Sequence, residues 1–205
     1  MGNGLNSARK SILLKNFTKT HQNLHGEHYV TSACFKSLGN KTDYWKFDSD
    51  TFHIRHDSSS TNSFQACYRE ALIFIENSNI DRPEELVSRH ISAMSFFYDR
   101  MKDIRVVKKE HGYVKVRDYF IYGENICNGA IKLRRQNLFL CMDLAYIFAY
   151  LHDGLGLPLY KDIWVCYTLF ACLFSIQPFT FNVCFQCRLS KKSMVSKLVG
   201  PLVLH

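Results

Sequence analysis

Chemistry in this 205-residue chain would have to come from a few spaced polar side chains. His53-x-x-His56-Asp57 and His21-x-x-x-His25 have spacings that could hold a metal. Zinc, however, takes four ligands, or three plus water, and no further Cys or His follows at a matching interval. Cys184-Phe-Gln-Cys187 is a CxxC pair without a second pair and without a thioredoxin-like βαβ context. Glu84 and Glu85 are explained by the electrostatics of a helix start. A dyad of Cys67 and His90 can be drawn on facing helices, but spacing does not support it. Phosphate-cradling glycine loops, G-x-S-x-G and HExxH motifs are not found. No catalytic residue, cofactor or metal is therefore assigned.

Binding is better represented than catalysis. The formal charge is +8, which suits anionic lipid, nucleic acid or acidic protein partners without choosing among them. Twofold alternation after Ile104 places Arg105, Lys109, Tyr113, Lys115, Arg117 and Tyr119 on one strand face. Cations interleaved with tyrosines hold phosphates by charge and bases by stacking; a solvated outer face has the same composition. Among partners, membrane lipids and a protein rank ahead of nucleic acid.

Two apolar runs set the architecture. Ile163–Cys187 carries no Asp, Glu, Lys, Arg or His, and as a helix it would reach about 37 Å against a hydrocarbon core of ~30 Å. Asn137–Leu151 precedes it across a connector rich in Gly and Pro. Basic residues flank both runs, so two passes would put both flanks on one side. That reading leaves Asp143, Gln177 and Asn182 as intramembrane polar groups, with Asp143 the costliest. Gly2, Cys184 and Cys187 become lipidation candidates, although Asn6 stands where myristoylation favours Ser or Thr. The eight cysteines show no regular framework and read as reduced thiols.

The elements that must position these residues follow from periodicity. Phe64, Cys67, Tyr68, Ala71, Leu72 and Ile75 recur at helical spacing from Asn62 to Asn77. Asp81-Arg-Pro-Glu84 has capping-box spacing and opens a second helix through Met101. Together they form an antiparallel helical hairpin. A β-hairpin follows, of Ile104–Lys109 and Tyr113–Tyr122 about Glu110-His111-Gly112.

The expected fold is thus an α+β module, a helical hairpin followed by a β-hairpin, with a C-terminal hydrophobic helical hairpin inserted in a membrane. Its parts are a basic leader over 1–30, which suits a targeting or acyl-anchor segment, the module over 31–135, the hydrophobic hairpin over 136–187 and a basic tail over 188–205. Asn16-Phe-Thr and Asn40-Lys-Thr are sequons, silent if both termini face the cytosol. The leading functional reading is a small membrane-anchored adaptor without catalysis of its own, in the endoplasmic reticulum or mitochondrial membrane. Its rivals are a portion or variant of a larger enzyme with an unrelated apolar tail, and a nucleic-acid-binding module; a soluble cytoplasmic protein is the alternative location.

Overall fold

The computed structural model describes residues 4–15, 21–22, 27–59, 62–131, 137–167 and 183–184. The chain divides into two compact units, Met1–Val87 with Lys115–Lys161, and Ser88–Val114 with Asp162–His205. The fold is α+β, with two small sheets and, among the described residues, five α-helices.

The first unit opens with α1 (Leu5–Lys15), whose Ala8, Ile12 and Leu13 are buried. Its sheet has the order β1 (His21–Gln22), β2 (Glu27–Ser32), β4 (Asp50–His56), β3 (Thr42–Phe47). β2 and β4 run parallel, while β3 returns antiparallel on the outer edge of β4. The β3–β4 turn is two residues long, and Asp48 takes φ +58 there. Short polar side chains tolerate that left-handed conformation, and such turns match strand twist.

Three helices complete this unit: α2 (Ser63–Glu76), α4 (Val116–Cys127) and α5 (Leu140–Ala149). Asn62 caps α2, its side chain accepting from Gln65 N at 3.1 Å. Asp118 reaches back to the N–H of Lys115 at 2.7 Å and opens α4 in the same manner. Every residue of α5 is buried, and α2 and α4 pack against it. A helix apolar all round belongs in an interior, and here protein supplies that interior. Gly123 permits the α4–α2 approach, since a Cβ there would lie 2.5 Å from the Phe64 ring.

Two disulfides brace the same unit. Cys34, in the 3-10 turn Ala33–Leu38, is joined to Cys67 of α2, and Cys127 of α4 to Cys141 of α5. Cys166 is also disulfide-bonded. Reading the cysteines as reduced thiols is therefore corrected at these five positions; pairings between distant segments leave no spacing signature.

The second unit holds a sheet of order β6 (His111–Lys115), β7 (Asp162–Cys166), β5 (Ile91–Met94), β8 (Val183–Cys184), plus α3 (Phe96–Asp103). β5 is parallel to both β7 and β8.

Three expectations are overturned. The helix drawn from Asp81 to Met101 is instead a 3-10 turn (Glu84–Val87), strand β5 and helix α3. Ile91, Ser92 and Ala93 are all buried; a strand inside a parallel sheet is covered on both faces, so its short apolar run mimics helix spacing. The β-hairpin dissolves because Val116 onward is helical: Val116, Tyr119, Gly123 and Cys127 are the buried residues of α4.

The membrane-inserted helical hairpin fails in both arms. Asn137–Leu151 contains the core helix α5, while Ile163–Cys187 begins as strand β7. Among the described residues no helix is long and apolar enough to cross a membrane, so the membrane and transmembrane-helix readings are withdrawn. Most of the second run, 168–182 and 185–187, lies outside the described residues.

Candidate functional site

A cavity of about 370 Å³ lies in the first unit, lined by Leu72, Ile75, Glu76, Arg82, His152 and Asp153. Two elements build it: the C-terminal end of α2 and a π-helical turn, Tyr150–Gly154, that continues α5. Such turns widen the carbonyl ladder and recur at functional sites. Here the turn is held from outside. Arg82 Nε donates to Gly154 O at 2.7 Å, and its Nη2 donates to Asp153 O. Positive charge on terminal carbonyls is the favourable sense for a helix C-terminus.

The side chains around the turn are fixed in turn. Tyr68 Oη donates to Asp153 Oδ2 at 2.7 Å. Burial first, and the Asp153 carboxylate second, push the Tyr68 hydroxyl well above the usual tyrosine range. His152 Nδ1 lies 3.0 Å from Leu157 O. A carbonyl only accepts, so Nδ1 is the donor in this contact. The ring also stacks on Phe148 at 5.4 Å. The cavity is thus lined by the His152 imidazole and the Glu76 side chain, while the bonds from Arg82 maintain the turn's shape. Spacing could not announce it, because Arg82 and Asp153 are 71 residues apart.

A second polar feature is Asp143, which has no exposed surface. Arg9 of α1 grips it with two bonds, Nε to Oδ1 at 2.8 Å and Nη2 to Oδ2 at 2.6 Å. The guanidinium also sits 4.5 Å over the Phe139 ring. Position in the first turn of α5 favours the carboxylate further. Asp143 is therefore a core acid with a partner, and Gln177 and Asn182 lie outside the described residues.

The six residues of the expected basic face are spread over several elements. Arg105 lies in the turn after α3 at φ +64, Lys109 is exposed in the following loop, and Tyr113 is 58% exposed on β6. Lys115 ends β6; Arg117 opens α4 with its guanidinium 4.9 Å from the Tyr160 ring. Tyr119 is fully buried, and burial pushes its hydroxyl well above the ordinary range. Of the lipidation candidates, Cys184 lies in β8, whereas Gly2 and Cys187 are outside the described residues. His53 stacks on Tyr29 at 4.6 Å, and among the described residues no three His, Cys, Asp or Glu side chains converge as a metal set.

Known proteins share part of this chain. It is 32% identical over 113 residues, 55% of its length, to ectonucleoside triphosphate diphosphohydrolase 5 of Mesocricetus auratus. It is 31% identical, again over 113 residues, to the nucleoside diphosphate phosphatase ENTPD5 of Homo sapiens. A longer match, 165 residues at 28% identity and 75% of the chain, is to the nucleoside-diphosphatase uda-1 of Caenorhabditis elegans. No family model matches the chain. The matched stretches amount to 24%, 26% and 32% of these relatives, so the chain spans about a quarter to a third of their length.

Proposed function

We propose that this chain is a portion of a nucleoside diphosphate phosphatase, a disulfide-braced α+β piece on which the enzyme's substrate site is assembled together with the remainder of the fold. The similarity over 113 residues to two proteins named for phosphohydrolysis carries this reading. It favours the portion-of-an-enzyme alternative over the anchored adaptor.

The bridges support a location to match. Structural disulfides between buried cysteines persist in oxidising compartments and are rare where thiols are kept reduced, and Cys34, Cys67 and Cys127 are each at most 2% exposed. The protein accordingly works in an oxidising lumen or outside the cell.

A segment swap tests the proposal. The 113 residues of this chain that align with the human relative replace the matching stretch of that relative, and phosphate release from GDP and UDP is measured. The hybrid is expected to hydrolyse both within roughly tenfold of the parent, a barrier change of about 1.4 kcal/mol. A hybrid that folds, with its bridges formed, yet releases no phosphate overturns the proposal.

A further inference from the structure

Asn40-Lys41-Thr42 has the acceptor pattern Asn-x-Thr with no proline at the middle position. Pattern alone is weak, but the fold adds three independent observations. First, Asn40 occupies the turn between the 3-10 segment Ala33–Leu38 and β3, and Gly39, Asn40, Lys41, Thr42 and Asp43 are all exposed. Gly39 takes φ +56 there, and among the described residues nothing lies within 4 Å of where its Cβ would be. Second, the same 3-10 segment carries Cys34, bridged to Cys67; the bridge suits the oxidising location proposed above, on which this inference rests, and glycans are attached in such a compartment. Third, β3 is an edge strand, neighbour to β4 alone in the order β1-β2-β4-β3. Among the described residues no strand pairs with its outer side, and Tyr44 on it is 65% exposed.

We propose that Asn40 is an N-glycosylation site. The donor is a polyprenyl-diphosphate-linked oligosaccharide, transferred by the host cell's transferase. The Asn40 amide nitrogen attacks the anomeric carbon, a C–N bond forms, and the C–O bond to the diphosphate breaks. The nitrogen loses one proton and the polyprenyl diphosphate departs, so the step needs no oxidant or reductant. Thr42, two residues on, is the hydroxyl residue the acceptor pattern requires; in the folded chain its Oγ1 accepts from Arg55 Nε at 2.9 Å. A bulky hydrophilic chain at the entry to β3 obstructs edge-to-edge pairing, a task other proteins give to charges, prolines or bulges on edge strands.

The test is expression of the full chain through the secretory route of an animal cell, with Asn16→Gln throughout to remove the other sequon. Peptide N-glycosidase F digestion, gel mobility and mass spectrometry read Asn40, while maleimide labelling before reduction reads the Cys34–Cys67 bridge in the same sample. The expected result is a glycosidase-sensitive mobility shift, with Asn40 converted to Asp on release. Asn40→Gln and Thr42→Ala lose that shift completely, whereas Thr42→Ser keeps it. A bare Asn40 beside a formed bridge overturns the site; unbridged cysteines with a bare Asn40 overturn it through its compartment. Neither outcome touches the phosphatase reading, which the segment swap decides by phosphate release.

Discussion

Leu140–Ala149 and Ile163–Cys166 look alike in composition and have opposite structures. Both are apolar and buried, yet the first is helix α5 and the second is the body of strand β7. Apolarity alone therefore reports burial and leaves conformation open. What separates them is side-chain type and local partners. α5 is rich in Leu, Met and Ala, which lose little freedom in a helix, and its N-terminal turn carries an acid. β7 carries Ile163, Trp164 and Val165 at its centre, side chains that fit a pleated surface, and β5 runs beside it in parallel register from Ile91↔Ile163 to Met94↔Cys166.

The deepest difference between the two runs is that α5 buries a charge, so the largest predicted effect lies there. Arg9→Met removes the side chain that grips the buried Asp143 with two bonds and should cost about 3–5 kcal/mol in chemical denaturation. Arg9→Met combined with Asp143→Leu should recover most of that loss, because a buried pair replaced by apolar groups is often nearly neutral. A single variant as stable as the parent would show that the α1–α5 contact does not hold in solution.

The bridge into α5 comes next. Cys127→Ser with Cys141→Ser opens a loop of sequence separation 14 and should cost about 3 kcal/mol on the chain-entropy account. Cutting Cys34–Cys67, with separation 33, should cost slightly more, about 4 kcal/mol. Guanidinium melts with and without reductant measure both.

A reciprocal exchange sharpens the comparison directly. Leu144→Ile puts a β-branched residue into α5, and Ile163→Leu takes one out of β7; each conserves volume. Both should destabilise, by about 1 kcal/mol apiece. If Ile163→Leu were stabilising, the strand assignment of the second run would be wrong.

How much of this was legible follows from the range of the signals. α2 could be read because its start, cap and stripe are local: Asn62 caps it, and Phe64, Cys67, Ala71 and Ile75 are buried at the expected spacing. α5 was legible as a helix but not as a core helix, since the partner of Asp143 lies 134 residues away. Without Arg9 in view, an acid in an apolar run is either intramembrane or exposed. β5 was misread because both its faces are covered, which erases alternation. The candidate cavity was invisible for a related reason: its shape depends on Arg82 binding two backbone carbonyls of a π-turn, and main-chain acceptors have no sequence signature.

The smallest predicted effect contrasts a surface ion pair with the buried one. Asp50 accepts from Lys10, with Nζ–Oδ2 at 2.6 Å, and faces His28 Nε2 at 3.1 Å, but its side chain is 18% exposed. The hydrogen bond from Lys10, then that from His28, holds the Asp50 carboxyl below its ordinary value against an opposing effect of burial. A carboxyl held low in the folded state gives stability that is complete above the unfolded value near 4, and loses it as pH falls through the folded value. Solvent and salt screen the pair, so its contribution should stay below about 1 kcal/mol. Asp50→Asn should therefore lower stability slightly at pH 7 and flatten its fall between pH ~5 and ~3. If the variant lost as much at pH 7 as Arg9→Met does, exposure would not be what separates the two pairs, and Asp50 would belong with Asp143 among the acids the core depends on.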